Sequence, residues 1–174
     1  MMKIWHDMLK IWDSIPRRWM NLLGALVVGG MFGAVLFLQH FMHQVPCPLC
    51  MVQRFISFVI GALFFIAALH NAKPLGAKIY SSLIVFTSLS GVAVALRHIW
   101  IQHLPKDQVP SCGPDLDYML KNFPMSDVWQ ELLHGSGECA EKGWTFLWLG
   151  IPEWALVGFV FLGFFAVLVG WKKH

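Results

Sequence analysis

Residues 51–69, MVQRFISFVIGALFFIAAL, form an apolar run with a single charged residue, Arg54, and this run decides the fold class. A helix needs about 20 such residues to cross roughly 30 Å of hydrocarbon. Three further runs have a similar length and composition: Trp19 to Leu38, Ile79 to Ile101 and Trp154 to Trp171. Hydrophobic residues make up 57% of the chain and charged residues only 13%, which is unlike a soluble domain. The sequence therefore predicts an all-α membrane protein, a bundle of four transmembrane helices that forms one integral membrane domain over residues 1–174.

Lysine and arginine are distributed unevenly around the four runs. Eight of them lie in the N-terminal flank, the second connection and the tail: Lys3, Lys10, Arg17, Arg18, Lys73, Lys78, Lys172 and Lys173. The first connection, residues 39–50, has none, and the third, residues 102–153, has three against eight acidic residues. The positive-inside rule therefore predicts cytoplasmic termini and places both connections on the extracytoplasmic side. In bacteria that compartment permits disulfides. The net charge of +3 comes from this asymmetry and gives no sign of nucleic-acid binding.

Three segments outside the runs are predicted to lie against the membrane. In the third connection, Ser126 is the predicted N-cap of a short helix and Gly135 its predicted end. The apolar face of this helix has four residues: Val128, Trp129, Leu132 and Leu133. Four later residues predict a segment that dips into the interface: Trp144, Phe146, Leu147 and Trp148. Ahead of the first run, the segment from Ile4 to Ile15 is predicted to be an amphipathic helix on the cytoplasmic surface.

The motif Pro46-Cys47-Pro48-Leu49-Cys50 stands at the start of the second run. Its spacing alone leaves open a structural disulfide, half of a zinc site or a redox couple. The context favours the redox couple, because Pro48 fits the first position of a helix, which makes Cys47 the N-cap and puts Cys50 in the first turn. There, unpaired backbone N–H groups and the helix dipole favour a thiolate over a thiol.

Arg54 lies one helical turn after Cys50 and on the same face, at a depth where a charge is costly. It is interpreted either as the counter-ion of a Cys50 thiolate or as a side chain that reaches the lipid headgroups. His98, near the outer end of the third run, also has two interpretations. It is an interfacial anchor, which its position alone favours, or a hydrogen-bonding group for a ligand held between helices.

Cys112 and Cys139 enclose 26 residues and neither belongs to a Cys-x-x-Cys motif, which weakens the zinc interpretation. The residues on both sides of Cys112, Pro110-Ser111 and Gly113-Pro114, predict extended or turned backbone that suits exchange with another protein. Alternatively, the pair is a disulfide that closes the loop and contributes about 3 kcal/mol. His40 and His43 have helical spacing and are candidate metal ligands, although histidines at an interface are the commoner case.

Four cysteines in this order, at these membrane depths, form a specific pattern. Other residues accompany them: Arg54 after Cys47-Pro48-Leu49-Cys50, Gly91-Val92 with His98, and Gly135-Ser136-Gly137-Glu138-Cys139-Ala140-Glu141 followed by Trp144, Phe146, Pro152 and Trp154. On these residues the chain resembles, over essentially its whole length, the family of DsbB, the bacterial inner-membrane disulfide bond formation protein B. Pro48 and Gln53 depart from the residues common in that family, where position 53 is often acidic. These departures bear on the tuning of the first cysteine pair.

The resemblance implies a quinone-dependent protein disulfide oxidoreductase. A reduced periplasmic partner of the thioredoxin fold, similar to DsbA, would attack Cys112 of a disulfide between Cys112 and Cys139. Cys139 would then attack Cys47 of a disulfide between Cys47 and Cys50. Cys50 would leave as a thiolate beside a membrane quinone, and the return of electrons to the quinone would regenerate both disulfides.

The implied cofactor is ubiquinone or menaquinone, bound by Cys50, Arg54 and His98. The implied location is the bacterial inner membrane, with the DsbA-like protein, the quinone and membrane lipid as partners and a monomer as the expected state. Two other classes of function remain open. One is a non-catalytic membrane protein with two structural disulfides, and the other is a metal-binding module that combines cysteines with His40 or His43.

Overall fold

The computed structural model describes residues 14–41, 47–105, 107–109, 116–141 and 143–172. Its helices are α1 (Arg17–Phe41), α2 (Pro48–His70), α3 (Pro74–Gln102), α4 (Leu116–Asn122), α5 (Met125–His134) and α6 (Ile151–Gly170). A 3-10 turn (Gly137–Ala140) follows α5, and strands β1 (Thr145–Phe146) and β2 (Leu149–Gly150) pair antiparallel before α6. Helices α1, α2, α3 and α6 are each long and apolar enough to cross a membrane. The predicted four-helix membrane bundle is therefore confirmed.

All four membrane helices begin earlier than the apolar runs that predicted them. Pro48, Pro74 and Pro152 stand in the first turns of α2, α3 and α6. Proline suits that position because its fixed φ is helical and its missing N–H is not needed there. Hydropathy detects only the part of a helix that lies in hydrocarbon, so it misses these polar first turns.

The bundle is held together by close packing between helix pairs. The most extensive contacts are between α3 and α6, between α1 and α2, and between α2 and α3. Glycines admit the two largest buried side chains: Gly24 of α1 faces the ring of Phe64, and Gly91 of α3 faces the ring of Phe159. In a bilayer, where lipid is as apolar as the side chains, such small-residue contacts are a main source of helix association.

The contact between Gly91 and Phe159 gives a prediction about stability. A Cβ at position 91 would lie 2.7 Å from the Phe159 ring, whereas a Cβ at Gly29 would meet nothing within 4 Å. We expect Gly91→Ala to destabilise the protein by roughly 1–3 kcal/mol, because the buried ring must move. Gly29→Ala, the matched control, should be neutral or slightly stabilising. Reversible unfolding in mixed micelles containing sodium dodecyl sulfate measures both, and equal stabilities would contradict this packing.

Helix α5 begins one residue before the predicted N-cap. Its N-cap is Pro124, not Ser126. The carbonyl of Pro124 accepts hydrogen bonds from the backbone N–H groups of Asp127 and Val128, so Ser126 falls inside the first turn. The hydroxyl of Ser126 bonds instead to the Asp127 carboxylate, at 3.1 Å.

The predicted apolar face of α5 is only partly buried. Val128 and Leu132 lie in the core, whereas Trp129 and Leu133 are exposed. The two exposed side chains are therefore left on the outer side of the helix, away from the bundle.

Gly135 ends α5, as predicted, and turns the chain onto the outer end of the bundle. It has φ +80, and a Cβ there would lie 2.6 Å from Ile101 Cδ1 and 3.0 Å from Leu49 Cδ1. Only glycine combines this backbone conformation with so close an approach. The 3-10 turn that contains Cys139 follows directly and is thereby placed over the ends of α2 and α3.

The hairpin of β1 and β2 presents its turn outward. Phe146, Leu147 and Trp148 are exposed, Trp148 to 96%, and the indole N–H of Trp154 donates to the Phe146 carbonyl at 3.1 Å. Exposed aromatic residues of this kind are typical of the membrane–water interface. The predicted insertion of this segment stays a prediction, and residues 4–13 of the predicted amphipathic helix lie outside the described residues.

Candidate functional site

The site begins at the N-terminus of α2. Cys47 is the N-cap, as predicted, with extended backbone, and its Sγ accepts a hydrogen bond from the backbone N–H of Cys50 at 3.4 Å. Pro48 occupies the first turn. The cap leaves Cys47 buried at 6% exposure and Cys50 half-buried. Both thiols therefore lie at the positive end of a membrane helix.

Three cysteine side chains meet here. Cys47 Sγ lies 2.9 Å from Cys50 Sγ, and the thiol of Cys139 is hydrogen-bonded to Cys47. Cys139 is fully buried and is held by the 3-10 turn, in which its N–H donates to the Ser136 carbonyl at 2.9 Å. Cys47 therefore stands between a sulfur of the third connection and a sulfur of α2.

The contact between Cys139 and Cys47 shifts the pKa values of the two thiols in opposite directions. The hydrogen bond from the Cys47 thiol lowers the pKa of Cys139 to about 6, and backbone hydrogen bonds at Leu49 and Ser136 add to this while burial opposes it. The same hydrogen bond, together with that to Cys50 and with burial, raises the pKa of Cys47. Cys139 is therefore the thiolate of this pair, and a thiolate is the form that attacks disulfides.

His98 lies in the interior, so its interpretation as an interfacial anchor is wrong. It is only 2% exposed, and its neighbours on the same face of α3, Ala95 and Ile101, are fully buried. Its Nε2 lies 3.7 Å from Cys47 Sγ, and the ring also forms a hydrogen bond with the backbone of Cys139. The rotation of α3 about its axis thus turns His98 towards the thiols and away from lipid. Its contact with a quinone stays a prediction.

Gln53 is a site residue that the sequence reasoning missed, beyond noting it as a departure from the family. It is buried at 5% exposure, and its Nε2 lies 3.3 Å from His98 Nδ1. The available signal was its spacing, since Gln53 follows Cys50 by three residues and so shares its helix face. A polar side chain on that face of an apolar run needs a partner.

Arg54 is half-buried between α1 and α2. Its Nη1 donates a hydrogen bond to Gln39 Oε1 at 2.6 Å, and its guanidinium interacts electrostatically with Cys50. Gln39 is therefore its direct partner, and the role of Arg54 as counter-ion to a Cys50 thiolate stays a prediction. The bond to Gln39 ties the guanidinium of α2 to α1, and the alternative that Arg54 reaches the lipid headgroups also stays open.

The remaining predicted residues are not part of this cluster as described. Cys112 and His43 lie outside the described residues. His40 is exposed, and its Nδ1 is 3.1 Å from the Leu36 carbonyl. Within the described part of the chain, the group of side chains able to hold a metal ion is Cys47, Cys50 and His98. The histidine beside the cysteines is thus His98, and His40 is wrong as a ligand of this cluster.

The arrangement is suited to thiol–disulfide exchange, because neighbouring sulfurs in contact can exchange bonds through the central one.

The family model described as disulfide bond formation protein DsbB matches residues 17–169. Disulfide bond formation protein B of Hahella chejuensis is 48% identical over 153 residues, which cover 88% of this chain and 92% of that protein. Proteins of the same name from Nitrosococcus oceani and Methylococcus capsulatus are 45% and 41% identical, covering 84% and 88% of this chain and 86% and 93% of theirs.

Proposed function

Since this chain belongs to the DsbB family of disulfide bond formation proteins, we propose that it reoxidises a periplasmic DsbA-like thiol oxidase and passes the electrons through two cysteine pairs to a membrane quinone. Membership makes it a disulfide-forming oxidoreductase with four membrane-spanning helices. The observation that carries the proposal is the row of three sulfurs, Cys139, Cys47 and Cys50, which joins the third connection to a membrane helix.

The exchange steps are proposed from the family and from the contact between Cys139 and Cys47. A thiolate of the reduced partner attacks Cys112 of the Cys112–Cys139 disulfide, and Cys139 leaves as a thiolate. Cys139 attacks Cys47, a new S–S bond forms between them, and Cys50 leaves. This order is supported by the hydrogen bond between Cys139 and Cys47. The role of Cys112 comes from the family.

The Cys112–Cys139 disulfide is regenerated by a second exchange. The other thiol of the partner attacks its mixed disulfide with Cys112, so the partner departs oxidised and Cys112 is left as a thiolate. Cys112 then attacks Cys139, which restores the Cys112–Cys139 disulfide and releases Cys47. Two electrons and two protons now reside on Cys47 and Cys50, at the start of α2.

A strong oxidant is needed to remove these electrons. A DsbA-type protein has a potential of about −120 mV, so a structural disulfide below roughly −300 mV could not oxidise it. A quinone, when bound, supplies an acceptor for two electrons and two protons.

The donor set beside Cys50 fits such a ring. Arg54 offers guanidinium N–H groups to a carbonyl oxygen, and the neighbouring Met51 and Phe55 expose apolar surface, 39% and 58% respectively, to a lipid-soluble molecule. We assign Arg54 and Cys50 to quinone binding, with His98 on the Cys47 side of the site. The guanidinium stabilises negative charge on Cys50 as it leaves.

The inner membrane and the periplasmic orientation belong to the proposal. They are supported by the eight lysines and arginines on the predicted cytoplasmic side and by a first connection that has none. Disulfide chemistry also requires an oxidising compartment, which the periplasm provides.

One experiment tests the activity and its sidedness together. Spheroplasts, which expose the outer face of the inner membrane, should oxidise an added reduced DsbA-like protein, whereas sealed inside-out vesicles should do so only after detergent treatment. Purified protein stripped of quinone should regain turnover when ubiquinone or menaquinone is added. Oxidation by sealed inside-out vesicles alone would contradict the orientation, and turnover that ignores added quinone would contradict the acceptor. No oxidation in any preparation would leave two structural disulfides as the better interpretation.

A further inference from the structure

The reduced cysteine pair and His98 have the spacing of metal ligands. The ligand atoms of Cys47, Cys50 and His98 all lie within 4.8 Å of one another. In a tetrahedral zinc site, Zn–S bonds of about 2.3 Å and Zn–N bonds of about 2.0–2.1 Å place sulfur and nitrogen about 3.6 Å apart. Cys47 Sγ and His98 Nε2 are 3.7 Å apart, so this ligand pair already has the required separation.

The two sulfurs need only a small adjustment. Tetrahedral geometry puts two zinc-bound sulfurs about 3.8 Å apart, and Cys47 Sγ and Cys50 Sγ are 2.9 Å apart. Cys50 is half-buried, so its side chain has room to turn by the remaining distance and also leaves a path by which an ion enters.

Cys139 does not fill the fourth position of this site. Its thiol is hydrogen-bonded to Cys47, but it is not among the ligand atoms that all lie within 4.8 Å of one another. Two cysteines and one histidine, with water in the fourth position, are the protein ligands of some zinc sites.

We propose that the reduced protein binds one Zn²⁺ through Cys47, Cys50 and His98, with a water molecule in the fourth position, and that oxidation of the cysteines abolishes this site. The two thiols release their protons to solvent on binding. Two thiolates and Zn²⁺ together carry no net charge. The ion therefore removes the cost of gathering thiolates in a buried place.

Gln53 supplies the outer contact that zinc-bound histidines have. Such a histidine donates its other ring N–H to an oxygen, which fixes the tautomer. The Gln53 amide lies 3.3 Å from His98 Nδ1, and with its oxygen turned to the ring it accepts that N–H. His98 Nε2 then presents its lone pair to the cysteines. Gln53 is thus a positioning residue for the metal ligand.

The inference goes beyond the proposed function, because it needs neither the partner nor a quinone. Zinc bound to Cys47 and Cys50 engages the sulfurs that must otherwise form a disulfide. A zinc-loaded protein is therefore held in the reduced form, so that the ion is an inhibitor of turnover whose site exists in one redox state only.

The test measures metal binding by the full-length protein, purified in detergent and reduced with a phosphine. Co²⁺ is the spectroscopic probe, since thiolate ligands give it charge-transfer absorption and a tetrahedral field strengthens its visible bands. One Co²⁺ per chain should bind to the reduced protein, Zn²⁺ should displace it, and the fully oxidised protein should give no such spectrum.

Four variants separate the ligands from their surroundings. Cys50→Ser and His98→Ala should each weaken Zn²⁺ binding by more than about 100-fold, and Gln53→Leu by roughly 10- to 100-fold, as for loss of an outer contact. His40→Ala, which removes an exposed histidine outside the cluster, should leave the affinity unchanged. Cys50→Ser changes one atom of a half-buried side chain, so it tests the site even if His98→Ala does not fold.

Two results would overturn the inference. One is a reduced protein without thiolate-to-cobalt absorption, and the other is an affinity that Cys50→Ser leaves unaltered. Zinc binding by a protein that oxidises no partner would support this inference while contradicting the proposed function. A protein that oxidises the partner but binds no metal when reduced would support the proposed function and contradict this inference.

Discussion

Cys139→Ser should lower the steady-state oxidation of the reduced partner by more than about 1000-fold, because a hydroxyl cannot take part in thiol–disulfide exchange. Cys139 is the only described cysteine of the third connection, and its thiol contacts Cys47. Without it, electrons that arrive at Cys112 have no route to α2. Turnover is measured by the loss of partner thiols in the presence of quinone.

The same variant should also retain an adduct that the parent protein resolves. A partner with one active-site cysteine, activated as its mixed disulfide with thionitrobenzoate, is attacked by the reduced Cys112 thiol, and thionitrobenzoate leaves. In the parent protein Cys139 then attacks Cys112 and releases the partner, whereas in Cys139→Ser the adduct persists on a non-reducing gel. Cys50→Ser is the matched control, since it also lacks turnover but keeps Cys139. An adduct that peptide mapping places on Cys47 or Cys50 would show that the order of transfer is wrong.

Arg54→Met should raise the apparent Michaelis constant for quinone by roughly 10- to 100-fold, which corresponds to the loss of a hydrogen bond with a charged donor worth about 1.5–3 kcal/mol. Arg54→Lys should have a smaller effect, because lysine keeps the charge but loses the planar fork that reaches two acceptors. The measurement is steady-state oxidation of the partner over a series of quinone concentrations.

Partner exchange provides the internal control for Arg54. A single turnover with the partner, without added quinone, should proceed normally in both variants. Arg97→Lys is the matched substitution, since Arg97 also lies near the outer end of the bundle but stacks on Trp100 at 4.4 Å and donates to the His134 carbonyl. If the apparent Michaelis constant for quinone is the same in all three variants and in the parent, Arg54 does not bind the quinone.

Local rules account for what the sequence predicted correctly. The four helices follow from the lengths of the apolar runs, and the cap at Cys47 follows from Pro48, because both depend on residues that are neighbours in sequence. The N-cap of α5 was wrongly predicted at Ser126, because serine is a preferred N-cap residue. The hydrogen bonds that the Pro124 carbonyl accepts from Asp127 and Val128 place the N-cap at Pro124 instead.

Contacts between distant segments were harder to predict. The environment of His98 depends on how α3 is rotated, and a weakly amphipathic membrane helix does not define this. The local hint was that the residues three before and three after His98 are apolar, Ala95 and Ile101, and both are fully buried in the structure. The meeting of Cys139 with Cys47 has no signature in spacing at all, and it was expected solely from the resemblance to a family. Gln53 gains its importance from His98 on another helix.

The close passage of Gly135 over Ile101 and Leu49 has a kinetic consequence. Because the chain is pinned there, four residues before Cys139, the Cys139 thiol meets Cys47 without a search through a long loop. Well-oriented groups of this kind react as if present at effective molarities of about 10⁵ M or more. Millimolar thiols in the surrounding solution cannot compete with that, even if they are better nucleophiles. Gly135, which carries no reactive group, thus helps to exclude thiols in solution from the exchange between Cys139 and Cys47.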